Sequence, residues 1–265
     1  STLATVASSS SGTYSFSGIT NSSVQLVIYA QMVTPSVIIE DNTNSDAVYG
    51  GITAAINLET DNSVDVNFPS GWSGSAASGS YSSTRMAAPF AILDDIYTSV
   101  AKFLSARPSI SFPELKVNWS IDNIASSGDK SDGDIGTSHW DGSELYILGK
   151  ADSDTDEYDT HIIVHEWGHY FVAKLGRSDS IGGSHGTGDV LDPRVAFGEG
   201  WGNALSAMML YPNVTYFDTS GTRQQSGFGD NLESGSNSSN PGWFSETSVG
   251  LILFDLFDSD SDTND

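Results

Sequence analysis

Residues 160–175 read THIIVHEWGHYFVAKL, and this stretch decides the fold. In a helix, His165 and His169 stand about one turn apart on the same face. Their imidazole nitrogens can therefore enter a single tetrahedral zinc shell. Glu166 directly follows the first histidine, in a position from which its carboxylate reaches an activated water rather than the metal. The spacing predicts a zinc-binding helix with a general base of the metallopeptidase type.

The ends of this helix and its apolar residues are also readable. Asp159 or Thr160 can cap its start, since their oxygens accept from the first free amides, and Gly176 suits a reversal at its end. We expect the helix to span about 160–175. The apolar positions around the motif should pack against strands, so that only the metal-binding face is open. These positions are Ile162, Ile163, Val164, Phe171 and Leu175.

The composition restricts ligands, partners and location. The 265-residue chain has no cysteine, so a zinc site must use His, Asp or Glu. Its net charge of -24 argues against nucleic acid or an anionic membrane as a partner. No apolar run of about 18 residues exists, so we expect no membrane span. The acidity and the metallopeptidase motif together favour a secreted, extracellular protein. Because the start lacks a signal-like apolar stretch, we expect the chain to be a mature form.

Two regions differ in their pattern. Residues 1–83 contain short alternating runs with β-branched residues, such as 24–29, which are typical of strands. We expect residues 1–83 to form a small all-β, sandwich-like N-terminal module that ends in a Gly/Ser-rich linker at 71–83. Helical spacing then begins near residue 87, so residues 84–265 are expected to form the catalytic domain. The expected fold class is α+β.

A third zinc ligand is required, and the sequence offers several carboxylates. Val172 and Leu175 occupy the positions where a longer histidine motif would need Gly and His, so that motif is absent. Glu199 lies in the first turn of a helix-like segment and can face the metal. Asp189 and Asp192 compete with it, and Glu199 could instead only complement the helix dipole.

The segment Gly198-Glu199-Gly200-Trp201, together with the HEWGH motif, resembles the gluzincin metallopeptidases, in particular the fungalysin and thermolysin-like families. The resemblance implies a zincin-like catalytic domain in which His165, His169 and Glu199 bind zinc. Asn203 stands where those families have an Asp that orients a histidine ligand. Its amide oxygen can still accept from an imidazole N–H, without adding charge. Asp189 lies in a segment that is similar to the Gly-Thr-x-Asp segment of aspzincins.

A second resemblance concerns the substrate. Thr137-Ser138-His139-Trp140, followed by an apolar strand, is similar to the substrate-binding edge of thermolysin-like peptidases. In that family the backbone there binds an extended polypeptide, which implies a polypeptide substrate held through its main chain. Thr137 replaces the family's usual Asn.

The implied reaction is peptide-bond hydrolysis, in which Glu166 takes a proton from water and passes it to the leaving amine. Thermolysin-like enzymes also use a downstream His and a Tyr to stabilise the oxyanion. No His follows His185 in this chain, and Trp243 stands where that His is expected. His185 is therefore the candidate catalytic histidine, and its alternative is an exposed loop histidine. His161 lies in the first turn, where we expect it to support the site or lie on the surface.

Two acidic runs suggest calcium as a second cofactor, because calcium prefers carboxylate oxygens. Neither run has the EF-hand pattern, since Glu157 occupies the required Gly position in the first. A solvated acidic loop is the alternative for the first run. The second run ends abruptly after an apolar stretch, which favours a processed or truncated chain. The runs are Asp152, Asp154, Asp156, Glu157 and Asp159, and then Asp258, Asp260, Asp262 and Asp265.

The main hypothesis is a secreted zinc endopeptidase, and two rivals stand beside it. An aminopeptidase of related zinc fold would need an acidic motif that binds the substrate's N-terminus, and no Gly-x-Met-Glu-Asn pattern occurs. A binding or adhesion protein with a catalytically weak zincin-like domain fits the missing downstream histidine and the β-rich start.

Overall fold

The computed structural model describes residues 2–59, 63–235 and 240–258, and the chain is mixed α+β. The described residues form four α-helices: α1 (Ala88–Ala106), α2 (Thr160–Leu175), α3 (Pro193–Leu210) and α4 (Glu246–Asp255). The strands are β1 (Ser23–Val24), β2 (Val27–Tyr29), β3 (Gln31–Met32), β4 (Val37–Asp41), β5 (Ala47–Val48), β6 (Gly50–Ile52), β7 (Ile56–Asn57), β8 (Trp72–Ser73), β9 (Ser80–Tyr81), β10 (Leu115–Trp119), β11 (His139–Trp140), β12 (Leu145–Ile147), β13 (Gly149–Lys150), β14 (Asp154–Thr155), β15 (Thr215–Ser220) and β16 (Ser226–Asn231).

The largest sheet has six strands in the order β11-β12-β10-β4-β3, with β5 also paired to β4. Strand β10 is parallel to both neighbours, and Val117 lies opposite Ile39 and Leu145. Strand β11 is antiparallel to β12 and lies at one edge of the sheet. The central strands are apolar and buried because helices cover the sheet.

This sheet crosses the boundary that the sequence suggests at residue 83. Strands β3, β4 and β5 lie in the expected N-terminal module, yet β4 pairs with β10 along four residues. A domain boundary after residue 83 would therefore cut through the central sheet. The sequence already held a signal, because Val37-Ile38-Ile39 is a continuous apolar run, as in strands buried on both faces, and not the alternation of a sandwich.

The other strands of the N-terminal region pair locally. They form three two-stranded sheets, β1–β7, β2–β6 and β8–β9, in place of the expected sandwich. The expected linker contains the β8–β9 pair, in which the Trp72 and Tyr81 rings meet edge to face at 5.1 Å between centroids. Arg85, just beyond it, is buried in an ion pair with Glu157 at 2.6 Å. This segment is therefore packed against the rest of the chain.

Helix α2 confirms the expected bounds and lies between the sheet and two other helices. Ile163 and Trp167 of α2 are fully buried in the core with Ile92 and Ile96 of α1. Asp159 precedes the helix, but its carboxylate accepts from the backbone N–H and hydroxyl of Thr219 instead of capping α2.

A second sheet lies on the other side of α2, in the order β13-β14-β15-β16. Strand β15 carries Tyr216, whose buried ring meets the ring of His165 at 5.8 Å between centroids. Helix α4 packs closely on α3, since a Cβ at Gly200 would lie 2.7 Å from the carbonyl oxygen of Glu246. None of the described helices is long and apolar enough to cross a membrane.

Candidate metal centre

Three potential metal ligands converge from α2 and α3. The Nε2 atoms of His165 and His169 are 3.0 Å apart, and they lie 3.1 and 3.2 Å from Oε2 of Glu199. In a tetrahedral shell with zinc–ligand bonds of about 2.0 Å, neighbouring ligand atoms are about 3.3 Å apart. The three atoms therefore form a triangle of nearly the size that one face of a zinc shell requires.

The hydrogen bonds of His165 explain why this triangle needs a cation. Oδ1 of Asn203 lies 2.8 Å from Nδ1 of His165 and accepts its proton, which leaves Nε2 with a lone pair in the neutral ring. In the neutral ring that lone pair meets a carboxylate oxygen of Glu199 and repels it, so either a proton on Nε2 or a bound cation has to lie between the two atoms. His165 is 4% exposed and Glu199 is 7% exposed, so water screens little of the repulsion between the two lone pairs. Neutral imidazoles and one carboxylate are donors that zinc prefers, and the residues fit this ion.

The pKa values of the site also indicate that it favours positive charge. Burial lowers the pKa of His165, but the hydrogen bond to Glu199 and the charges of Glu166 and Glu199 outweigh it and raise this pKa to about 9. Burial raises the pKa of Glu199, whereas hydrogen bonds from His165 and His169 hold it well below its usual value. The Glu199 carboxylate thus demands positive charge, which a bound divalent cation also supplies.

Glu166 lies beside the triangle, at the edge of the main sheet. Its Oε1 is 3.9 Å from Nε2 of His165, and its Oε2 accepts the backbone N–H of Trp140 at 3.0 Å. Glu166 could also join the two histidines as a ligand, since their ligand atoms lie within 4.8 Å of one another. The oxygen of Glu199 is closer to the His165 nitrogen. Glu199 is therefore the better third ligand, and Glu166 is left to accept a proton.

His185 reaches the same site from the loop between α2 and α3. Its Nε2 lies 3.4 Å from Oε2 of Glu199, and its Nδ1 lies 2.8 Å from Oε2 of Glu246 at the start of α4. The hydrogen bond with Glu246 raises the pKa of His185, although burial opposes it. His185 is thus held between two carboxylates next to the ligand triangle, although 35% of its side chain is exposed.

The competing ligands lie elsewhere. Asp192 accepts the backbone N–H of Arg194 at the start of α3 and forms an ion pair with its guanidinium group at 2.9 Å. Asp189 is exposed in the loop before it. His161 is fully buried, with Nδ1 2.9 Å from Oγ of Ser206, so the expectation of a surface position is wrong. Burial lowers the pKa of His161 to about 4.

Two residues of the site were not foreseen. Trp243, at the position where the resemblance predicted a histidine, is 68% exposed. The first unforeseen residue is Glu246, three positions later, whose carboxylate forms a hydrogen bond with His185. Tyr216 packs its ring against His165. Neither residue has a spacing signal, because β15 and α4 reach α2 and α3 only through the tertiary packing.

No protein-family model and no curated protein matches this chain. The likeness to gluzincins is a resemblance of short motifs.

Gly202 determines how closely α3 approaches the first histidine. A Cβ at this position would lie 2.7 Å from Cε1 and Nδ1 of His165. Alanine would favour the helix by about 1 kcal/mol, but the clash must displace the ring of a candidate ligand. We expect Gly202→Ala to weaken zinc binding by roughly 10–100-fold, the usual cost of disturbing a ligand's support.

Zinc titration against a competing chelator measures this effect, and Gly198→Ala is the matched control in the same helix. Its Cβ would be 3.4 Å from Cβ of Ser180, which is an ordinary contact, so zinc affinity should be kept. Equal zinc affinity in Gly202→Ala and the unaltered chain would contradict the inferred position of His165.

Proposed function

We propose that this chain is a secreted zinc-dependent endopeptidase with a gluzincin-like site. One observation carries the proposal: Nε2 of His165, Nε2 of His169 and Oε2 of Glu199 form a ligand-sized triangle, with the carboxylate of Glu166 beside it. The acidic composition is in keeping with secretion.

His165, His169 and Glu199 would hold the metal. A zinc ion held by three protein ligands acidifies a water molecule to a pKa of about 7 and polarises a carbonyl oxygen. The absence of cysteine from the chain leaves this histidine and carboxylate set as the appropriate one.

Glu166 performs the proton transfers in this proposal. It takes a proton from the attacking water and delivers it to the amine that leaves. The hydrogen bond from the Trp140 N–H to Oε2 orients the carboxylate and leaves Oε1 on the side of His165. Such positioning matters because a general base must lie within hydrogen-bond reach of the proton that it removes.

His185 stabilises the charge that develops on the carbonyl oxygen. Glu246 accepts from Nδ1 and raises the pKa of His185, so the protonated ring also has an N–H on Nε2, the nitrogen that faces the metal site. A donor held in advance near a developing oxyanion lowers the barrier without reorganisation during the reaction.

The position of Glu166 also indicates the substrate class. Backbone N–H groups alternate along a strand, so the N–H of Trp140 that reaches Glu166 points away from the partner strand β12. An extended polypeptide that adds alongside β11 would pass Glu166 and would be recognised mainly through its backbone. We therefore propose unfolded polypeptide segments as substrates.

The experiment is cleavage of an unstructured polypeptide by the purified chain. We expect cleavage to stop with a zinc chelator and to return when zinc is added, and mass spectrometry of the products should show internal cuts. Stepwise loss of terminal residues would favour an aminopeptidase. Intact substrate with a zinc-loaded chain would favour the binding or adhesion protein and reject the proposal.

A further inference from the structure

A second group of carboxylates lies where β14 pairs with β15. Asp154 and Asp156 belong to the first acidic run, and Asp218 belongs to β15. One carboxylate oxygen of each lies within 4.8 Å of the others. The hydrogen-bonded pair of Asp154 with Ser220 brings β14 beside β15 and creates this cluster.

The oxygens of this cluster are buried without partners. Asp156 is 3% exposed, and its Oδ2 accepts the hydroxyl of Ser138, which leaves Oδ1 for the cluster. Each of the three aspartates has an Oδ1 atom without a hydrogen-bond partner among the described residues: Asp154, Asp156 and Asp218. Burying several unpaired carboxylates is costly, because neither water nor an N–H offsets their charge.

The other acids of the first run are already satisfied. Asp152 accepts the backbone N–H of Arg223, and Asp159 accepts from Thr219. Glu157 is paired with Arg85, and Lys150, the strand partner of Asp154, is paired with Asp122. Protein donors and cations thus pair with the other acids of the run. Oδ1 of Asp154 and Oδ1 of Asp156 have no such partner.

The protonation of the cluster reflects this isolation. Burial, reinforced by the charge of Asp154, raises the pKa of Asp156 well above its ordinary value. Burial likewise raises the pKa of Asp218 to about 6.

We infer that Asp154, Asp156 and Asp218 bind a calcium ion at a site separate from the zinc-type centre. An all-oxygen, carboxylate-rich ligand set selects hard cations. Calcium accepts several carboxylates in a flexible shell, whereas magnesium keeps several of its waters and is bound through one or two carboxylates. Three buried carboxylates within 4.8 Å of one another therefore suit calcium better. Two members of the expected acidic run therefore contribute, and the third ligand comes from β15.

The position of the ion gives it a structural role. Ser138, which donates to Asp156, also accepts the N–H of Leu148, and it precedes the edge strand β11. Strand β15 carries Tyr216 against His165. Calcium would thus join the edge segment, the approach to α2 and the β15–β16 hairpin. This inference does not depend on the proposed peptidase activity.

Thermal unfolding of the full chain in calcium-depleted buffer tests the inference. Since a ligand that binds only the folded state stabilises it, calcium at about 100 times its Kd should raise Tm by roughly 5 °C or more. Magnesium at the same concentration should have a much smaller effect. An unchanged Tm in millimolar calcium, or an equal shift with magnesium, would overturn the inference.

Asp218→Asn separates binding from folding. It removes one charge at constant size, so the calcium response should disappear while Tm without calcium stays equal or rises, because repulsion is relieved. Asp152→Asn is the matched control, since its carboxylate is exposed and accepts from Arg223, and it should keep the full response. A full calcium response in Asp218→Asn would refute the assignment. If that variant fails to fold, calorimetric titration of Asp156→Asn with calcium decides in the same way.

Discussion

Glu166→Gln is expected to lower peptide-bond cleavage by about 10²–10⁴-fold, the usual contribution of a general acid–base residue. Glutamine keeps the size of the side chain and an oxygen that can accept the Trp140 N–H, so the edge contact at 3.0 Å should survive. It cannot take a proton from water. The loss should appear in kcat, measured on an unstructured polypeptide.

Zinc content decides how that loss is interpreted. Glu166 lies 3.9 Å from Nε2 of His165, outside the ligand triangle, so the variant should bind zinc as the unaltered chain does. Glu114→Gln is the control, because Glu114 is exposed and its only described role is to accept from Ser36. Equal cleavage by Glu166→Gln would reject the mechanism, and loss of zinc would make Glu166 a ligand.

His185→Ala is expected to reduce kcat by about 10²–10³-fold, as removal of an oxyanion donor does in other hydrolases. KM and zinc content should change little, because in the proposed mechanism β11 holds the substrate backbone and His165, His169 and Glu199 hold the metal. Steady-state kinetics on the same polypeptide separate kcat from KM.

Glu246→Gln provides the comparison for His185. It leaves an acceptor for Nδ1 but removes the charge, so a smaller loss of about 10-fold or more is expected. An unchanged kcat in His185→Ala would mean that the histidine only fills the loop. Loss of zinc would instead identify it as a fourth ligand, which its 3.4 Å approach to Glu199 allows.

Features that depend on local periodicity were predictable. The spacing of the motif within α2 places two imidazoles on one face, and the apolar residues around it anticipated the buried helix over Thr160–Leu175. Asn203 was expected to accept from an imidazole N–H, and the structure has that contact at 2.8 Å from His165. These relations lie within one helix or within a turn of a candidate ligand.

Features that depend on pairing between segments far apart in the chain were not predictable from the sequence. The boundary at residue 83 failed because parallel pairing of β4 with β10 joins segments far apart in the chain, and no local pattern encodes the partner of a strand. For the same reason, the sequence did not predict that Asp218 lies beside the acidic run or that Glu246 lies beside His185. Of the four residues in the second acidic run, Asp258 lies within the described chain. Asp260, Asp262 and Asp265 lie outside the described residues.

The sequence by itself determined the chemistry that is available: two histidines one turn apart, a carboxylate next to them and no thiol. The tertiary structure alone decided which carboxylates lie together at each candidate site. Packing of α3 on α2, with Gly202 against the His165 ring, brings Glu199 to both histidines, and pairing of β14 with β15 brings Asp218 to Asp154 and Asp156. The physical reason is that helix periodicity acts over one turn, whereas a metal shell gathers atoms within a few ångströms from any part of the chain.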